Sequence, residues 1–222
     1  DGLGLLDVEQ VATGLTAVTE ATLAVTLEVC LRTAEQRHGS PLPMRFLLIA
    51  MGRLGGGELG YGSDADVMFL YDPVAGADEE AATRVAFEVA NDLRTLLMVP
   101  STDPPLEVDA DLRPEGRQGA LVRSLASYAA YYARWSASWE SQALLRARPI
   151  TGDDDLAAQF LALIEPLRWP AEGLPETSLL EIRRLKARME NERLPRGADP
   201  TLHTKLGRGG LSDVEWVAQV LQ

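Results

Sequence analysis

Ile49 to Asp72 reads IAMGRLGGGELGYGSDADVMFLYD: an apolar strand, a glycine-rich turn, then two aspartates leading straight into a second apolar strand. Side chains two apart in a strand face the same way, so Asp64 and Asp66 are expected to project side by side. Two like charges that close are unfavourable unless a cation sits between them. Glycines at 52, 55, 56, 57 and 60 leave backbone N–H groups open to an anion without Cβ hindrance. A carboxylate pair for Mg²⁺ beside a phosphate-accepting turn is equipment for nucleotidyl transfer. The competing reading is a polar turn entering a strand, where Asp is common.

Outward from this segment, Arg45 to Met51 and Asp66 to Tyr71 are the two strand candidates. Upstream, Val8, Val11, Ala12, Leu15, Val18, Val25 and Val29 fall at near-helical spacing, predicting one broken helix or two short ones over Val8 to His38. Gly39-Ser40-Pro41-Leu42-Pro43 ends them. Downstream, Asp78 is placed to cap a long helix to Met98, with Ala82, Val85, Ala86, Val89, Leu93 and Leu96 on one face. Leu106 to Leu112 alternates as a third strand and carries Asp109 and Asp111 on one side. A further helix is expected from Ser124 to about Arg148, with Tyr128, Tyr132, Trp135 and Trp139 as an aromatic stripe. Filling a core is the favoured reading of that stripe; a base-stacking platform is the sharper one.

Thr151-Gly152 followed by three aspartates reads as a domain junction. Beyond it Leu156 to Leu167, Thr177 to Arg193 and Leu211 to Gln222 read as helices, the last opened by Ser212 and Glu215 in capping-box spacing. The expected fold class is α+β: a catalytic domain with N-terminal helices and a small mixed sheet over residues 1–150, then the start of a helical bundle over 151–222. The chain has 222 residues, enough for one ordinary domain and part of another. It begins at Asp1 without Met and ends inside an apparent helix, so a piece of a longer protein is expected.

A net charge of −12 argues against a nucleic-acid duplex or an anionic membrane as the main partner. Cys30 is the only cysteine, which excludes an intrachain disulfide and reads as an inert buried thiol. There is no secretory signal, and no apolar run is read as approaching the roughly 20 residues of a membrane helix, so a cytoplasmic protein is expected.

Other candidates surround the pair. Ser63 can hydrogen-bond a phosphate, although turn chemistry also explains it. Arg113 and Arg117, then Arg146 and Arg148, are the cations suited to phosphate. Lys205-Leu206-Gly207-Arg208-Gly209-Gly210 joins two cations to three glycines before a helix, an anion site or a mere interhelical loop. Glu58 reads as surface, and His38 and His203 show no metal-ligand spacing.

The Ile49–Asp72 segment resembles the polymerase-β-type nucleotidyltransferases, whose signature is a small turn followed by Asp-x-Asp between apolar residues. Gly52-Arg53 stands where that superfamily usually has Gly-Ser or Gly-Gly, so charge from Arg53 replaces a hydroxyl. GRLGGGELGYGSDADVMFLYD, EVDADLRPEGRQG (Glu107 to Gly119), WESQALLRAR (Trp139 to Arg148) and KLGRGGLSDVEW (Lys205 to Trp216) together look like the glutamine synthetase adenylyltransferase family. The resemblance implies ATP and Mg²⁺ as cofactors and transfer of AMP to a tyrosine of glutamine synthetase. It implies Asp64, Asp66 and Asp109 as metal ligands and catalytic carboxylates. Gly52, Arg53, Gly55, Gly56, Ser63, Arg113, Arg146 and Lys205 would bind the nucleotide. At Asp111 the chain departs from relatives, which more often carry a basic residue. The family has two related halves. The chain looks more like the C-terminal, adenylylating one; the alternative is the half that removes AMP by phosphorolysis. A third reading is a silent module that relays the PII nitrogen-signal protein.

Overall fold

The computed structural model describes residues 3–100, 104–135, 138–193, 197, 199 and 201–222, with the side chains of Trp135, Ser138, Asn191 and Arg193 left aside. In chain order the elements are α1 (Val8–His38), β1 (Met44–Ala50), α2 (Gly52–Gly55), β2 (Ala65–Pro73), α3 (Glu79–Leu97), β3 (Val108–Asp109), β4 (Val122–Ser124), α4 (Leu125–Trp135), α5 (Ser138–Leu144), β5 (Arg148–Gly152), α6 (Asp154–Arg168), α7 (Glu176–Arg193) and α8 (Leu211–Leu221). They form two compact units: Asp1–Trp135 with Arg146–Leu163, and Ser136–Leu145 with Ile164–Gln222.

The first unit is α+β, built on a mixed sheet in the order β3-β2-β1-β5, with β4 also pairing β2. β1 runs antiparallel to β2 and β5, whereas β3 and β4 run parallel to β2. β1 lies between two strands and is buried at every position but Arg45, which is why its sequence is a continuous apolar run rather than an alternating one. Phe46 and Leu48 of β1 and Val67 and Phe69 of β2 share a core with Leu23 and Leu27 of α1 and Val85 and Val89 of α3. On the other strand positions Leu47, Ile49, Met68 and Leu70 are buried as completely. Tyr128 of α4 donates to the Phe69 carbonyl (3.4 Å) and meets Phe160 of α6 edge to face at 5.9 Å. Tyr128 and Tyr132 are therefore core, as the favoured reading of the aromatic stripe expects. The Trp135 side chain lies outside the described residues.

α1 departs from expectation in three ways. It is one unbroken helix of 31 residues, opened by a reciprocal cap in which the Gln10 N–H donates to Asp7 and the Asp7 N–H donates to Gln10. Its buried face is Thr16, Leu23, Thr26, Leu27, Cys30 and Ala34, while Val8, Val18, Val25 and Val29 are exposed. The threonines tolerate burial because Thr16 and Thr26 donate to the carbonyls of Ala12 (2.8 Å) and Thr22 (2.7 Å). Contrary to the expectation that no apolar run approaches that length, the helix is also long and apolar enough, by length and composition, to cross a membrane, with mean hydropathy 1.4 over its most apolar window. Here one face of it belongs to the core, and Arg37 ties its last turn to Glu88 (2.5 Å) and Asp92 (2.8 Å) of α3. Cys30 is buried there, and desolvation pushes its thiol up to about 11, in keeping with an inert role.

Three other boundaries are corrected. The helix expected from Ser124 to Arg148 is instead α4, α5 and then a strand. Thr151 and Gly152, expected at a junction, end β5, and Asp153 caps α6 by accepting from the Leu156 N–H (2.8 Å). The third strand has two residues rather than seven, and Asp111 lies in the turn after it.

The second unit contains only helices among its described residues. Gly210, not Ser212, is the N-cap of α8, so the expected capping box is not formed. The Ser212 hydroxyl is buried without a partner, and Asp213 takes the Gly209 N–H (2.6 Å) in its place. Lys186 of α7 pairs with both Glu190 and Asp213, fastening α7 to α8.

Candidate active site

Pairing of β1 with β2 brings the glycine-rich turn and the aspartates to one end of the sheet. The Met51 N–H donates to the Asp66 carbonyl (2.8 Å), extending the hairpin one residue beyond Ala50. Parallel pairing sets Asp66 directly beside Asp109. Two carboxylates from different strands thus become neighbours, which sequence spacing alone does not reveal. Asp64 is exposed and precedes β2, while Asp66 and Asp109 are half-buried. Gly52 has φ +50°, and a Cβ there would lie 2.3 Å from the Asp66 Oδ2. Glycine is required at this position twice over, for its backbone conformation and for contact with the carboxylate.

The oxygen-only donor set of Asp64, Asp66 and Asp109 suits a hard divalent cation such as Mg²⁺. The expected convergence of all three is not formed: among the described residues no three His, Cys, Asp or Glu side chains gather as a metal site. Asp64 stands before the strand begins, and the Asp109 Oδ1 accepts the Asp111 N–H (2.7 Å).

The turn itself is more self-contained than its glycine content suggests. The N–H groups of Gly55, Gly56, Gly57 and Glu58 donate to the carbonyls of Met51, Gly52, Leu54 and Arg53, at 2.7–3.1 Å. That of Gly60 donates to the Ser63 hydroxyl (3.2 Å). These groups are spent inside the turn, so the expectation of open N–H groups fails at Gly55, Gly56, Gly57 and Gly60. Glycine serves close packing instead: a Cβ on Gly55 would meet the Arg146 carbonyl at 1.9 Å, and one on Gly60 would meet the Arg53 guanidinium at 3.0 Å.

The expected cations divide sharply. Arg53 lies across the turn, its Nε donating to the Glu58 carbonyl (2.9 Å) and its Nη1 to Ser63 (3.3 Å). Arg146 stands beside Gly56 and pairs with Glu58 (3.2 Å), which is therefore more than the bare surface residue expected. Arg113 is buried and spent on the carbonyls of Ala110 (2.7 Å), Gly119 (3.1 Å) and Arg117 (3.2 Å). It pins the loop after β3 rather than presenting charge to phosphate. Asp111 pairs with Arg117 (2.5 Å) and helps close the same loop. Arg148 binds the Gly55 and Leu54 carbonyls, both at 3.1 Å. Lys205 is exposed in the second unit, and the aspartates belong to the first.

Comparison with known proteins agrees with the motifs. Residues 1–163 match the model of the family described as glutamate-ammonia ligase adenylyltransferase. The chain belongs to this family. Among its glutamate-ammonia ligase adenylyltransferase relatives, one from Streptomyces avermitilis is 60% identical over 97% of the chain. Relatives from Nocardia farcinica and Mycobacterium tuberculosis are 55% and 54% identical over the whole chain. All three are named bifunctional glutamine synthetase adenylyltransferase/adenylyl-removing enzyme. The chain spans about a fifth of their length, 21–22%.

Proposed function

We propose that this chain carries a nucleotidyl-transfer site that moves AMP from ATP to a tyrosine hydroxyl of glutamine synthetase. The observation that carries the reading is the register of Asp66 beside Asp109, next to a glycine whose missing Cβ makes room for the Asp66 carboxylate. Family membership supports the same reaction, since relatives are named for adenylyl transfer to and removal from glutamine synthetase.

In this reading Asp66 and Asp109, held in register, would hold Mg²⁺ together with Asp64, which would have to turn in from its exposed place before β2. Mg²⁺ at these carboxylates would supply positive charge against the triphosphate. Asp109 accepts the proton of the tyrosine hydroxyl as the new P–O bond forms and pyrophosphate departs. Arg53, which lies across the turn, and Arg146, which pairs with Glu58 beside it, offset charge on the phosphate oxygens. Arg113 keeps the loop after β3 in place through the Ala110, Gly119 and Arg117 carbonyls. Little covalent work falls to the protein; rate comes from positioning and electrostatics. The direction assigned is adenylylation, supported by the likeness of WESQALLRAR and LSDVEW to the adenylylating half of the family.

The test is the intact mass of glutamine synthetase after incubation with this chain, ATP and Mg²⁺. Addition of one adenylyl group per subunit, absent with Asp66→Asn, is the expected result. An unchanged mass, with no binding of Mg·ATP by the chain, would remove the reading.

A further inference from the structure

Arg148 stands apart from the reacting groups, yet it joins the glycine-rich turn to two other elements. Its Nε donates to the Gly55 carbonyl and its Nη2 to that of Leu54, each at 3.1 Å, and Nη2 also pairs with Glu20 of α1. Those carbonyls lie at the C-terminal end of α2, where a helix runs out of its own donors; that of Leu54 is shared with the Gly57 N–H (3.1 Å). β5 pairing sets Arg148 directly opposite Ala50, the last residue of β1 before the turn. Two residues earlier the Arg146 carbonyl presses on Gly55 so closely that a Cβ would lie 1.9 Å from it. Glu20 has a counterpart one helical turn earlier: Thr16 Oγ1 accepts the Leu59 N–H (3.3 Å). Residues i and i+4 share a helix face, so one face of α1 braces the turn through Arg148 near its start and through Leu59 near its end.

We propose that Arg148, oriented by Glu20, is a positioning residue of the nucleotide site. It fixes α2 and the glycine-rich turn against β1, β5 and α1. Because Gly52 of α2 lies against the Asp66 carboxylate, that fixation also sets one of the proposed metal ligands. The planar guanidinium fork reaches three acceptors at once, which a lysine ammonium on a single flexible stem does not reproduce. This role rests on the nucleotidyl-transfer reading above. Loosening of the turn should weaken nucleotide binding before it slows the bound complex.

The test compares the wild-type chain with Arg148→Lys, Glu20→Gln and Asp66→Asn by amide hydrogen exchange and by calorimetry with Mg·ATP. Arg148→Lys should speed exchange over residues 55–63 while α3 keeps its protection, and raise the Kd for Mg·ATP about tenfold, the effect usual for loss of a supporting contact. Glu20→Gln should act in the same direction and less strongly. Asp66→Asn should abolish Mg·ATP binding with exchange over 55–63 unaltered. Unchanged exchange in Arg148→Lys, or faster exchange throughout the unit, overturns the proposal alone. A wild-type chain that binds no Mg·ATP, while its turn still responds to Arg148→Lys, overturns the nucleotidyl-transfer reading and the nucleotide role of Arg148 with it.

Discussion

Two glycines of the same turn make opposite demands on a methyl group. At Gly52 the obstructing atom is the Asp66 Oδ2 at 2.3 Å, a side-chain atom. At Gly55 it is the Arg146 carbonyl at 1.9 Å, a backbone atom. Gly52→Ala should therefore swing the Asp66 carboxylate aside, with a backbone cost of about 1–2 kcal/mol for the left-handed conformation. Gly55→Ala should force the segments apart and cost about 1–3 kcal/mol or more, as overpacking does. Thermal melts alongside Mg·ATP titration check this: the first variant loses binding out of proportion to stability, the second loses both together. The carboxylates after β3 separate in the same manner. Asp109 sits in register with Asp66, whereas Asp111 is occupied by Arg117. Asp109→Asn should lower turnover far more than ATP affinity, because its proposed interaction matters in the transition state. Asp111→Asn should leave turnover within a few-fold; equal effects would reverse the assignment.

At the scale of elements, what could be read in advance follows from how evenly burial marks the sequence. The β1–turn–β2 hairpin was legible because both strands are buried on both faces and glycine punctuates them. α3 was legible because its apolar face holds from Ala82 to Leu93, with only Leu96 of the expected set exposed near the end, and because the Ala81 N–H does donate to the expected Asp78 cap (3.1 Å). α1 misled because valines at helical spacing face outward while threonines with satisfied hydroxyls face in. β5 was hidden by Pro149, which a sheet accepts at an edge, and β5 is the edge beside β1. Of the site, the aspartates and turn were visible, but the fates of Arg113 and Arg148 were not, since spacing cannot tell a guanidinium aimed at phosphate from one spent on carbonyls.

The α7–α8 fastening carries a pH prediction. The hydrogen bond from Lys186, and then the Gly209 N–H, hold the Asp213 carboxyl below its usual range. Burial works against the Lys186 charge, but its bonds to Asp213 and Glu190 outweigh that and hold it above its usual value. The carboxylate contribution is thus present above an unfolded pKa of about 3.9 and is lost as pH falls through the lowered folded value. The ammonium contribution is present below an unfolded pKa of about 10.4 and is lost as pH rises through the raised one. Asp213→Asn should lower the melting temperature by a few degrees at neutral pH, since a partly exposed pair is worth on the order of 1 kcal/mol or less. The gap from wild type should close as both are acidified below about pH 4. A gap that stays constant into acid would mean that the Asp213 charge is not what fastens the helices.

For the molecule as a whole the proposed direction does not follow from the carboxylates, because on the proposed reading transfer of AMP and its phosphorolytic removal would draw on the same metal site. Selection between them must come from the way the protein substrate docks and from the anion admitted beside the α-phosphate. The proposed direction rests on Trp139 to Arg148 and Leu211 to Trp216, which are separate in sequence from Asp64, Asp66 and Asp109. The chain should therefore attach AMP to unmodified glutamine synthetase when given ATP, and should release no ADP from the adenylylated form when given phosphate. Supplying each form separately and following both products distinguishes the two, and ADP release without AMP transfer would assign the chain to the removing activity. Salt supplies an independent check on docking. A net charge of −12 gives no long-range attraction to another acidic protein, and added salt shortens the Debye length to about 8 Å at physiological ionic strength. Raising ionic strength from low to physiological should thus leave the rate level or increase it slightly. A steep fall would reveal a basic docking surface that prevails over the overall charge, and charge-reversal variants of the exposed arginines of α7, Arg183, Arg184 and Arg188, would then be the first to examine.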